Sequence, residues 1–67
     1  MKKRPEIKVG AKFLWWDRDL WHIINIFEDN GEEMVVLKSW AKYKQRWVYQ
    51  VESKEALEYF FDWHFEK

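Results

Sequence analysis

A chain of 67 residues without a single cysteine has to hold its fold together without disulfides or thiolate-bound zinc. That absence is the tightest constraint on this sequence, because a domain so short buries only about 60% of the surface its unfolded chain exposes. Below about 70–80 residues a covalent or metal staple is the usual supplement. The alternative here is aromatic mass: six Trp, five Phe and three Tyr. Each ring can bury roughly 150–250 Å², enough to make a small core sufficient. One domain is therefore expected, over residues 9–67, behind a basic arm at 1–8 that carries the lone proline and is expected to be flexible or loosely docked.

Twelve acids balance twelve bases, but the charges are partitioned. Residues 1–18 hold six bases against Glu6 and Asp17, a net +4; residues 19–37 hold five acids and no Lys or Arg, a net −5. Residues 38–46 hold Lys38, Lys42, Lys44 and Arg46 and no acid, a net +4; residues 47–67 return −3. Alternating blocks set oppositely charged strands side by side, or build a bipolar surface with one basic face able to steer an anionic partner. The longest apolar runs, such as Phe13–Trp16 and Met34–Leu37, are far short of the stretches a secretory signal or a membrane helix needs. No membrane association is expected, and the lack of cysteine fits the cytoplasm.

Four strand signals and one helix signal follow in order. Ala11–Trp16 is aromatic and ends at the polar turn Asp17-Arg18-Asp19. Leu20–Phe27 has the β-branched and aromatic density of a strand, but Ile26 falls out of phase with Trp21 and Ile23. A bulge near Asn25 restores it. Asn30-Gly31 then predicts a tight hairpin into Glu33–Trp40. Ala41–Lys44 must turn without Gly or Pro, and Gln45–Val51 alternates, with Trp47, Tyr49 and Val51 read as inward and Arg46, Val48 and Gln50 as outward. Ser53 is a good N-cap for a terminal helix over about 53–66, with Ala56, Leu57, Phe60, Phe61 and His64 forming its apolar stripe.

This order predicts a mainly β fold: a small, strongly bent antiparallel sheet of four to five strands with a C-terminal α-helix packed on it. Val9-Gly10, the Trp21-x-Ile23-x-x-Ile26 strand and the Asn30-Gly31 hairpin resemble features of SH3-like barrels in general. That resemblance covers roughly residues 9–51 and implies an architecture, not an activity.

Chemistry has little to stand on. Ser39 and Ser53 lack a partnered base, and two glycines make no phosphate loop. His22 and His64 are the only histidines, and Asp62, His64 and Glu66 do not share a helix face. No enzyme activity, cofactor or metal is expected. The suggestive segment is 38–47, where Lys38, Lys42, Lys44 and Arg46 interleave with Trp40, Tyr43 and Trp47. Cations pair with phosphates and flat rings stack bases, so the segment suits a nucleic acid, single-stranded DNA or RNA, with Lys2, Lys3 and Arg4 extending its footprint. The same residues also suit a solubilised hairpin whose lysine stems lie on Trp faces. Trp15-Trp16 places one indole in and one out, so Trp16 joins Trp40 and Tyr43 as a candidate for an exposed aromatic patch. The expectation is a non-catalytic interaction module, monomeric or weakly dimeric, binding a protein or a nucleic acid through the basic aromatic hairpin. In the protein-binding case Trp16, Trp40, Tyr59 and Phe65 are the anchors.

Overall fold

Asn30 and Gly31 both take positive φ, 56° and 79°, in the two-residue turn whose twist matches that of the strands it joins. The computed structural model describes residues 4–65. Around this turn run the two longest strands, β2 (Leu20–Asp29) and β3 (Glu32–Ala41). β1 (Lys12–Leu14) and β4 (Arg46–Ser53) flank them, and α1 (Lys54–His64) follows β4 directly. The sheet is an antiparallel meander in the order β1-β2-β3-β4.

The sheet does not close. β1 supplies only three residue pairs, all to β2, and among the described residues no ladder joins β1 to β4. The barrel expectation is corrected to an open sheet with a helix on one side, a slab 34 × 33 × 17 Å. Closure needs first and last strands long enough to meet, and a three-residue β1 is not.

The β2–β3 register shifts between Ile23 and Asn25, so Ile24 is the extra residue of a bulge. The bulge returns Ile26 to the side of Trp21 and Ile23, where it packs on the core. That core lies between sheet and helix. Phe13, Trp21, Ile23, Val35 and Leu37 come from the strands, and Leu57, Phe60 and Phe61 from α1. Full burial of each such side chain contributes roughly 1.5–3 kcal/mol. Phe61 meets Phe13 edge-on at 4.9 Å. The one buried polar side chain among the described residues, Ser39, donates to the Leu20 carbonyl at 2.8 Å.

Ser53 caps α1, its hydroxyl accepting from the Ala56 amide at 3.1 Å. Of the expected stripe, Leu57, Phe60 and Phe61 are buried, whereas Ala56 and His64 are exposed. Phe65, just past the helix, fills the place expected of His64 by packing on Phe60 and Phe61. Glu66 lies outside the described residues. Trp15 packs on the core just past β1, while Trp16, already in the turn that follows, is exposed at the edge of α1.

At the other end of the chain, Arg4 forms an ion pair with Asp62 and holds its guanidinium 5.8 Å from the centre of the Phe61 ring. Ile7 packs on the core. Gly10, at φ 98°, lies in a turn closed by the Ala11 amide on the Lys8 carbonyl. Both Gly10 and Ala11 then bond Ile23, lengthening the β1–β2 ladder through a second bulge.

β4 reverses the sequence expectation. Val48 pairs with Ser39 and packs on the core, while Trp47, Tyr49 and Val51 pair with Trp40, Lys38 and Val36 on the opposite face. The cause is the hairpin: a four-residue loop joins paired Ala41 and Arg46, and this pairing carries the face assignment of β3 onto β4.

Candidate interaction surface

Because paired residues of an antiparallel sheet share a face, the register sorts every strand side chain into two sets. One set meets α1. The other is uncovered: among the described residues no element packs on it. β2 contributes Leu20, His22 and Phe27; β3 contributes Met34, Val36, Lys38 and Trp40; β4 contributes Trp47, Tyr49 and Val51. Leu14 on β1 adds an edge next to Leu20. Seven of these residues, Leu14, Leu20, Phe27, Trp40, Trp47, Tyr49 and Val51, keep between 37% and 62% of their surface open.

The centre of this face is an aromatic cluster around Trp47. Trp40 stands edge-on to it at 5.4 Å and His22 at 5.6 Å, while the Lys38 ammonium sits 4.2 Å from its ring centre. The cation takes the electron-rich face of an indole, which also keeps this lysine drawn down onto the sheet. Burial, and then the charges of Lys12 and Lys38, lower the His22 pKa from its ordinary value, so the neutral imidazole is favoured here.

The hairpin tip is built without glycine. The Gln45 amide reaches the Ala41 carbonyl at 2.8 Å, Gln45 itself takes φ 54°, and its side-chain amide donates to the Lys42 carbonyl at 2.7 Å. That local bond helps a non-glycine residue hold a left-handed conformation. Lys42, Tyr43 and Lys44 project from this loop, Tyr43 with no covering contact at all.

The seven residues singled out in the sequence therefore do not form one site. Lys38 and Trp40 lie together on the uncovered face, and Lys42, Tyr43 and Lys44 crown its end. Arg46, paired with Ala41, is on the helix side of β4. Trp16 is at the helix, 4.7 Å from Phe60 and 4.8 Å from His64, so it makes no joint patch with Trp40. It borders a groove of about 710 Å³ whose walls include Trp15, Phe60, His64 and Phe65. Tyr59 is well exposed on α1, and Phe65 is half-buried rather than free as an anchor. Lys2 and Lys3 lie outside the described residues.

Sequence reasoning missed Trp47, Tyr49 and Val51 as members of this face. Their signal was present as clean alternation in β4, but alternation marks two faces without saying which one the helix takes. Among the described residues no group of three His, Asp or Glu side chains is placed to hold a metal, and no helix is long and apolar enough to cross a membrane. Comparison with known protein families, with characterised proteins and with solved structures gave no match.

Proposed function

We propose that this chain is a non-catalytic interaction module whose contact surface is the uncovered face of the sheet, with the basic hairpin at 38–47 forming one end of it. One observation carries the reading. Seven partly exposed apolar residues on one face amount to roughly 600 Å² of surface, at the upper limit of what monomeric proteins leave uncovered. Trp and Tyr are also the residue types that dominate contact energies at interfaces.

A second reading, binding of single-stranded nucleic acid, is favoured by the lysines that flank the open Tyr43 ring and by Lys38 over the Trp47 ring. Phosphates would meet the ammonium groups while a base stacked on Tyr43, Trp40 or Tyr49.

Amide spectra of the labelled protein test both readings. One series varies protein concentration, and another adds mixed-sequence oligonucleotides at low and moderate salt. Shifts at Val36, Lys38, Trp40, Trp47, Tyr49 and Val51 in either series support the face as the contact surface. Shifts with oligonucleotide that fade with salt select the nucleic acid. Shifts confined to α1, or none in either series, overturn the proposal.

A further inference from the structure

We propose that the occupant of the uncovered face is a second copy of this chain, packed face to face about a two-fold axis that runs across the strands. This rests on reading that face as the contact surface, and adds the partner and its orientation.

The first argument is area. The exposed apolar surface of the seven residues approaches the roughly 800 Å² per partner of a standard interface, before Met34, Val36 and Lys38 are included. Phosphates would leave most of it unused, since Leu20, Phe27 and Val51 offer them nothing and Lys38 already covers the Trp47 ring.

The second argument is charge. In a meander the β2–β3 turn and the β3–β4 turn lie at opposite ends of the sheet. The first end carries Glu28, Asp29, Glu32 and Glu33, with Lys54 on the helix side reaching Glu33 at 3.6 Å. The second carries Lys42, Lys44 and Arg46. The β1–β2 turn at that end adds Asp17, Arg18 and Asp19, and the Asp17 carboxylate already accepts from the Trp21 indole at 3.2 and 3.3 Å. The end stays basic. With zero net charge, two copies meet without overall repulsion.

These two facts choose the axis. A two-fold parallel to the strands would stack acid on acid and base on base. A two-fold across the strands lays the acidic end of each copy on the basic end of the other, in a self-complementary interface. By strand position it passes near Leu37, so Tyr49 of one copy faces Val51 of the other and Trp40 faces Met34.

Charge exchange tests this orientation. One full-length variant carries Asp29→Lys with Glu32→Lys, the other Lys42→Glu with Lys44→Glu; all four residues are exposed, and circular dichroism confirms that each variant folds. Sedimentation at low ionic strength reads the masses. The wild type is expected to dimerise with rising concentration, and each variant alone to dimerise at least about tenfold more weakly, because the two-fold axis doubles every reversed pair. An equimolar mixture of the two variants is expected to recover the wild-type association, since both ends then attract. A wild type that stays monomeric to roughly millimolar concentration overturns self-association. So does a pair of variants that dimerise as well as the wild type, or a mixture that fails to recover. If the wild type stays monomeric while oligonucleotides shift the face amides, the contact surface stands and only its occupant is wrong. If it dimerises through α1, with shifts at Tyr59 and Trp63 alone, both readings fall.

Discussion

Tyr49→Lys and Val48→Lys, made separately, decide which face of β4 the helix covers. Tyr49 leaves 62% of its surface open, so its contacts bury on the order of 80 Å². At about 25 cal/mol per Å² this is worth at most about 2 kcal/mol, and the lysine stem can lie over the same neighbours and recover part of it. The expected loss is about 1 kcal/mol, a fall of about 4–8 °C in Tm for a domain of this size. Val48 is half-buried beside Ser39 and packs on the core. Replacing it removes about half of the roughly 1.5–3 kcal/mol that full burial contributes, and adds the cost of bringing an ammonium to the margin of the core. Val48→Lys is therefore the more damaging change.

The alternation read without knowledge of the register ranks them the other way. With Tyr49 inward, Tyr49→Lys would bury a charge at a cost of several kcal/mol, comparable with the roughly 3–10 kcal/mol that stabilises a domain of this length. Urea unfolding followed by circular dichroism, at protein concentrations low enough that association adds nothing, gives both values. A Tyr49→Lys protein that is unfolded, or less stable than Val48→Lys, would refute the assignment of faces and with it the contact surface.

Two further outcomes are expected. Ser53→Ala removes the hydroxyl that caps α1 and costs about 1 kcal/mol in urea unfolding, while Ser53→Asp keeps most of the stability because a carboxylate accepts the same amide. His22, with its pKa lowered by burial and by Lys12 and Lys38, resists a proton that the unfolded chain accepts at about pH 6.5. Its contribution to stability is complete above that value and falls as the pH drops through it, levelling off below the lowered folded value. Urea midpoints at about pH 7.5 and 5.5 measure the drop, and His22→Gln should remove that part of it.

The local devices of this fold are legible in the sequence because each depends on a few neighbouring residues. Asn30-Gly31 demands its turn through backbone sterics, Ser53 caps whatever helix follows it, and the bulge between Ile23 and Asn25 follows from the phase slip of Ile26. The inward direction of Trp15 continues the alternation that also turns Phe13 inward two residues before it. What could not be read is decided by contacts between distant elements. β4 alternates equally well whichever face is covered, and its direction is imposed by the Ala41–Arg46 pairing across a loop with no glycine to mark its length. The same pairing puts Arg46 on the helix side, away from the face of Trp47 and Lys38, so the cations of the hairpin separate by face. Trp16 leaves Trp40 because the chain has left β1 and is already turning at Trp16, and the ring settles on Phe60. Closure failed for a third reason, since the strand signal in Ala11–Trp16 yields only three laddered residues.

The same facts explain why the exposed apolar surface sits on a face and not along an edge. An open sheet has two edges that can recruit any other strand, and here β1 is too short to extend a ladder while β4 carries Arg46 and Glu52. Uncontrolled growth through the edges is discouraged, and face packing, unlike edge pairing, stops at two copies when the contact is two-fold. A single helix stripe covers one side of a four-stranded sheet and no more. With 14 aromatic side chains to place, the core takes Phe13, Trp21, Phe60 and Phe61 and packs Trp15 and Phe65 at its margin, and most of the remaining rings lie on the other side of the sheet or on the helix surface. The clustering of Trp40, Trp47 and Tyr49 opposite the helix, between an acidic and a basic end, makes that second side a surface suited to a partner of matching pattern, and this chain carries the matching pattern itself.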